Sequence, residues 1–473
     1  MYSPVTSRRH QLILVILAAF AVFVDGIDCS IVNVAMPVMT ADFGIDISLG
    51  AWIVMAYGLF LAGFILAFGR LAENGRIQKI FILGFAVFSF GSLLCALAPT
   101  FAVIVTARAV QGVGAAMIAA VSPLIIVKFL PEHKHGFGMG VIATTGGLAL
   151  TLGPSLGGII TTLLSWHWVF LINLPLGIIA IVLSRIYIPH AESKPVKTPF
   201  DWTGMTLLFV AIASCIILLE RFGSLGFGSP AIIVLLAVFL LSAGAYIVYS
   251  LKCRFPLINV RIFRHWKFTF VAISYLLTCM VFAGVMYLLP YYLEIPLGIS
   301  PGEAGLLLII SSIITALVGI PTGMWADRIG CRVPCILAAV CRITFCALMF
   351  IIKPEWGVIA VIPVLVFMGL SFGISGGPAT TRIVQNSPKG EEGSGTSIMI
   401  TTDYLGGVVG VAAYTLVFAL VIPESIGVAV AELPTALFVD GFHATALFGI
   451  AIGITTLILS AVVPNIIVKR KSE

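Results

Sequence analysis

The sequence predicts an all-α protein that crosses a membrane many times. Three observations predict it. Of 473 residues, 60% are hydrophobic and only 10% are charged, with a mean hydropathy of +1.15. A soluble chain could not cover its surface with so few charges. The apolar residues fall in long runs, and about 20 residues span a bilayer as a helix. The basic residues cluster in alternate gaps between these runs, so the net charge of +6 reads as a topology signal and not as a nucleic-acid surface.

Taken in order, fourteen spans are expected, at 11–35, 49–69, 78–97, 101–125, 136–160, 166–188, 203–220, 230–251, 268–291, 303–322, 333–352, 356–377, 394–421 and 441–464. Arg8 and Arg9 before the first run resemble the start of a signal peptide. That run is too long, holds two Asp and lacks a cleavage site, so it is expected to be retained as a helix. An even number of spans puts both termini on one side. Loops on that side carry Arg70, Arg76 and Lys79, then Lys128 and Lys134, then Lys252, Arg261, Arg264 and Lys267. The opposite loops hold only Arg221 and Lys353. By the positive-inside rule the termini are cytoplasmic and the protein sits in the cytoplasmic membrane. The nine cysteines show no metal-ligand set: Cys331 and Cys335 share a helix face but lack companions. No metal and no cofactor is expected.

The first span contains DGIDCSIVNVAMP, Asp25 to Pro37. Asp25 and Asp28 are three residues apart and share a helix face. A carboxylate at membrane depth costs at least ~2.5 kcal/mol, so two of them need a polar cavity, a partner or a task. The fourth span contains Arg108 in TARAVQGVGAA. Counting 1.5 Å per residue, Asp28 and Arg108 both lie ~10 Å below the outer end of their spans, which makes them candidate partners. The fifth span holds Gly153, Pro154, Gly157 and Gly158 in GPSLGG. Small residues at this spacing allow close helix approach, and the proline removes a backbone hydrogen bond, which together predict a bendable seam. Trp166 and Trp168 in WHWVFLINLPLG read as interfacial anchors.

Two terminal-side loops match each other, GRLAENGRIQK from Gly69 and GMWADRIGCR from Gly323. In each, a glycine permits close approach, an acid (Glu73, Asp327) sits near the next helix start, and basic residues such as Arg328 are at hand to pair with it. Such a loop can latch two helices in one state and release them in another. Gly44-Ile45 also recurs 254 positions later as Gly298-Ile299, and Gly69 as Gly323. The repeat divides the chain into a six-span half at 1–190, two inserted spans at 191–255 and a second six-span half at 256–473. Two halves around a midplane site is a transporter plan.

In the second half, Asp403 in ITTDYLGG is a third acid at membrane depth. Arg342 is expected to snorkel to the interface, and Glu294 to be solvated. Tyr57, Phe60, Tyr275, Tyr287 and Tyr404 offer ring faces to a cation.

With these residues in place, the order of IDCSIVNVAMP, RAVQGVGAA, GPSLGG, WHWVFLINLP and FDWTG resembles the major facilitator superfamily. More narrowly, it is similar to the fourteen-helix drug:proton antiporter branch, the multidrug and quaternary-ammonium exporters. The resemblance implies the major-facilitator fold. It places the first-helix acid of the family on Asp28, the motif arginine on Arg108, the antiporter motif on Gly153, Pro154, Gly157 and Gly158, and the loop acids on Glu73 and Asp327. It also assigns acids of the thirteenth helix, here Asp403, to substrate or proton. The first loop departs from the pattern, with Glu73 for Asp and Arg76 for glycine, and His167 replaces an arginine.

The expected function is therefore proton-coupled efflux of lipophilic, cationic small molecules by alternating access. Asp28, Arg108 and Asp25 would couple protons, and Asp403 with the aromatic residues would bind substrate. Export of a single metabolite or siderophore is the alternative. A membrane enzyme would need a nucleophile or metal cluster at depth, and the nearest candidate, His133 with His135, lies in a loop. A channel is a third possibility, distinguished by electrodiffusive flux.

Overall fold

A computed structural model describes residues 5, 7–72, 76–131, 134–189, 201–225, 229–253, 256–388, 392–429 and 432–465. Glu73, His133 and the 190/191 boundary lie outside them, as does the side chain of Asp327. Among the described residues every regular element is a helix, and fourteen are long and apolar enough to cross a membrane. These are α1 (Arg8–Phe43), α2 (Ile47–Leu71), α3 (Ile77–Ala96), α4 (Phe101–Phe129), α5 (His135–Leu163), α6 (His167–Tyr187), α7 (Trp202–Leu225), α8 (Pro230–Lys252), α9 (Trp266–Glu294), α10 (Pro301–Ile329), α11 (Arg332–Ile351), α12 (Val361–Gln385), α13 (Glu392–Val421) and α14 (Thr435–Val462).

Two elements differ from expectation for backbone reasons. α1 runs on past Pro37 to Phe43 and ends only where Gly44 turns left-handed at φ +61°. α6 breaks at Ile172, because Pro175 has no N–H to donate to the carbonyl of Leu171, four residues back.

Helix packing repeats itself. α1 packs on α5, α2 on α4, α3 on α4 and α6; in the same way α9 packs on α13, α10 on α12, and α11 on α12 and α14. The two six-helix sets meet along α5–α10 and α2–α13, while α7 lies against α2 and α13 and carries α8 outside. The punctuation repeats as well. Gly44 and Gly298 are both left-handed, at +61° and +66°. Two residues later Asp46 caps α2 through the N–H of Leu49, and Ser300 caps α10 through the N–H of Glu303. This is a major-facilitator architecture of two six-helix halves with two additional helices.

The halves close on each other at the end opposite the termini. Asp46 accepts from the N–H of Gly427 at 2.9 Å, Tyr287 donates to the carbonyl of Ile47 at 2.6 Å, and the N–H of Gly302 donates to Thr162 at 3.0 Å. Trp166 belongs to this packed end. It is 3% exposed and donates to Asp42, which corrects its reading as a lipid anchor; Trp168 stays exposed.

Candidate functional site

Midway along the bundle, α1, α3, α4 and α6 build a polar knot inside the first half. Arg108 Nη1 donates to Asp28 Oδ2 at 2.6 Å and to Gln111 Oε1 at 2.7 Å, and its Nε donates to the carbonyl of Ile53 at 2.8 Å. Asp28 Oδ1 accepts from Gln111 Nε2 at 2.8 Å and Asn173 Nδ2 at 2.7 Å, and Ser92 Oγ accepts from Gln111 at 2.8 Å. The guanidinium lies 4.1 Å from the ring centre of Tyr57. Asp28 is 0% and Arg108 1% exposed, so the pair expected from matched depth forms, deeply buried. Three of the roughly four acceptor sites of the Asp28 carboxylate are therefore taken.

Asp25 points elsewhere. Tyr57, on α2, and Tyr404, on α13 of the other half, both donate to it, the latter at 2.9 Å. The Asp25–Tyr404 bond thus crosses between the halves. Asp25 lies one helical turn nearer the terminal end than Cys29, which lines the cavity described next.

That cavity lies between the halves and has a volume of about 200 Å³. Its wall includes Asn33, Tyr57, Arg108, Phe282, Asp403 and Tyr404. Asp403 is the carboxylate on that wall, and Cys279 Sγ donates to it at 3.2 Å. Pro154 and Leu150 of α5 border the same space.

The structure brings some expected residues together and leaves others apart. Asp28, Arg108, Asp25, Tyr57, Tyr404 and Asp403 gather around or beside the cavity. Phe60 packs against Phe64 and Phe209 at the α2–α7 seam, and Tyr287 is buried in the closed end. Tyr275 donates to Asp403 from behind the cavity wall and lines a smaller pocket inside the second half. On α5, a side chain on Gly153 or Gly157 would strike Ser30 and the Ile31 carbonyl of α1, and one on Gly158 would strike the Pro301 carbonyl of α10. The seam therefore has one face within its half and one across the halves. Gly69 and Gly323 have no comparable close approach, and Arg328 is exposed in the last turn of α10. Arg342 does not snorkel: it is 2% exposed and donates to Thr456 at 2.9 Å. At about 15 Å from the start of α11, it is too deep for its side chain to reach water. Glu294 is half-buried, with Oε1 shielded from solvent and, among the described residues, without a hydrogen-bond partner.

Fourteen spanning helices in two similar halves, with a charged cavity at their interface, define a secondary transporter. The sequence profile of the Major Facilitator Superfamily matches residues 18–411, and the chain belongs to that superfamily. The chain is 29% identical to the riboflavin transporter RibZ of Clostridioides difficile (strain 630) over 415 residues, 87% of this chain and 89% of the relative. It is 28% identical to the multidrug resistance protein Stp of Mycobacterium tuberculosis (strain ATCC 25618 / H37Rv) over 416 residues, 87% and 76% of the two chains. Among solved structures, an inward-facing, unoccupied bacterial homologue of the human lysosomal transporter Spinster superposes with a TM-score of 0.64 at 14% identity, covering 96% of each chain, a likeness of fold. The protein is a multi-pass membrane transporter of the Major Facilitator Superfamily, and not an enzyme.

Proposed function

We propose that this transporter exports lipophilic cations in exchange for protons, with Asp403 and Asp25 as the exchanging carboxylates and Asp28–Arg108 as a fixed frame. The observation that carries this reading is the charge balance of the cavity. Arg108 on its wall is neutralised by Asp28, whereas Asp403 meets, among the described residues, only neutral donors, the thiol of Cys279 and the hydroxyl of Tyr275. A cation entering low dielectric needs an opposite charge, and a carboxylate on an otherwise largely apolar wall supplies it. A proton and a cation then compete for the same negative charge. Asp25 links this competition to shape. Protonating it weakens what Tyr404 donates to, and with it a bond across the halves. The resemblance gives the coupling role to Asp28, but its three donors favour a positioning role, and the titrating role moves to Asp25.

In this reading residues 1–190 and 256–473 rock about the cavity, 191–255 is the insert, and both termini face the cytoplasm across the cytoplasmic membrane. The similarity to RibZ favours a second reading, transport of a single flat aromatic metabolite between the same ring-bearing walls.

The test uses proteoliposomes with an imposed proton gradient, one monocation and one dication. The unaltered protein should accumulate both. Asp25→Asn should abolish gradient-driven movement of either. Asp403→Asn should slow the dication by at least about tenfold and the monocation less, a difference of about 1.4 kcal/mol in substrate interaction. If no cation moves with the gradient, the single-metabolite reading replaces this one. If Asp403→Asn slows both equally, Asp403 belongs to the proton path alone.

A further inference from the structure

The second half has a polar pocket of its own, apart from the cavity between the halves. α9, α11, α12 and α14 enclose about 20 Å³ lined by Ser274, Tyr275, Thr278, Ser375, Arg342 and Arg382, among others. That admits about one water-sized body. The two arginines are 2% and 4% exposed. Arg382 Nη2 donates to the carbonyls of Ser460 and Val463 at 3.0 and 2.7 Å. Arg342 donates to the hydroxyl of Thr456, and its Nε, buried, has no hydrogen-bond partner among the described residues. Among the described residues neither forms an ion pair. The core carboxylate of this half, Asp403, accepts from Cys279 and Tyr275 instead, and one carboxylate would still leave one of two guanidiniums uncompensated.

Guanidinium groups stay charged in proteins, and buried charges are found paired. Two cations, a donor without an acceptor and a small space lined by hydroxyls lack one component, a negative charge of atomic size. We propose that this pocket binds a small monovalent inorganic anion of chloride size, shared by Arg342 and Arg382. The volume excludes organic anions. The bound ion accepts from Arg342 Nε and neutralises the half, so that α9, α11, α12 and α14 pack around a balanced centre. It does not enter the transport cavity, and the proposal stands apart from the choice of substrate.

The experiment follows thermal unfolding of the purified full chain in detergent as sodium chloride replaces sodium gluconate at constant ionic strength, from about 1 to about 300 mM. A ligand of the folded state raises Tm saturably. The expected result is a rise of a few degrees with chloride and with bromide, and a flat response in Arg342→Met. Equilibrium dialysis of the unaltered protein against radiolabelled chloride should find one ion per chain, which decides the matter even if the variant fails to fold. The proposal is overturned if Tm is equal in chloride and gluconate and dialysis finds no bound halide, which would leave only water in the pocket. It is equally overturned if Arg342→Met keeps the full halide response.

Discussion

In the first half Arg108 spends its donors on Asp28, Gln111 and the Ile53 carbonyl, with the ring of Tyr57 over its face. In the second half Arg342 is buried as deeply and, among the described residues, reaches only the hydroxyl of Thr456. The backbone of the two halves is alike down to the left-handed glycine and capped helix start at Gly44–Asp46 and Gly298–Ser300. Their polar cores are not. The repeat therefore specifies the scaffold, while each half solves the burial of its arginine separately: one with a carboxylate from its own chain, the other, by our inference, with an ion from solution.

The largest effect should come from breaking the internal pair. Asp28→Asn keeps the shape of the carboxylate but leaves Arg108 buried without a counter-charge. Removing one partner of a buried pair costs about 3–5 kcal/mol. Unfolding of the purified variant should fall by that order and transport should be lost. Arg108→Gln added to Asp28→Asn should recover a large part of the stability. Arg342→Met, in contrast, removes a charge with no ion-pair partner among the described residues, and replacing buried charge with apolar volume is often neutral or stabilising. If Asp28→Asn and Arg342→Met are equally damaging, the two cores do not differ in the way the hydrogen bonds imply.

Much of this was readable from residues alone, and the failures have physical causes. Helix number follows from hydropathy, and the Asp28–Arg108 pair follows from depth, because rise per residue converts sequence position into distance along the membrane normal. Depth says nothing about azimuth. Phe60 and Tyr287 are at suitable depths but face Phe209 and the Ile47 carbonyl. Asp25 and Asp28, at i and i+3, share a face only loosely, and the small angle between them sends one to the other half and one into its own core. Asn173 and Ser92 complete the knot around Asp28, yet each sits in a mainly apolar stretch of its helix with no charged residue beside it in sequence. The signal available was the asparagine of LINLP, an amide at membrane depth that needs a partner as much as an acid does.

A smaller effect should separate the two faces of the α5 seam. A side chain on Gly157 meets the Ile31 carbonyl within the first half, and one on Gly158 meets the Pro301 carbonyl across the halves. Backbone atoms cannot turn aside as side chains do. Gly157→Ala should lower the thermal stability of the purified protein, by about 1–3 kcal/mol for overpacking. Gly158→Ala should leave each half intact and instead impede closure at the end opposite the termini, slowing efflux several-fold with little change in Tm. Equal loss of stability in both would reduce the seam to ordinary packing.

The smallest effect concerns the single bond from Tyr404 to Asp25. Tyr57 and Tyr404 donate to the same carboxylate, but Tyr57 belongs to the half of Asp25 and Tyr404 to the other. Loss of either hydroxyl removes one hydrogen bond to a charged group, worth about 1.5–3 kcal/mol. Only the loss at Tyr404 changes the balance between conformations, because only that bond is made and broken as the halves separate on the terminal side of the cavity. Cys29 lines the cavity and reports this. Tyr404→Phe should raise labelling of Cys29 by a membrane-impermeant maleimide, supplied from the terminal side and followed by peptide mass spectrometry, by about threefold or more. Tyr57→Phe should leave labelling near that of the unaltered protein, since its hydroxyl restrains Asp25 within one rigid half. Equal labelling in both variants would show that the cross-half bond does not hold that side of the cavity, and the conformational role of Asp25 would fall with it.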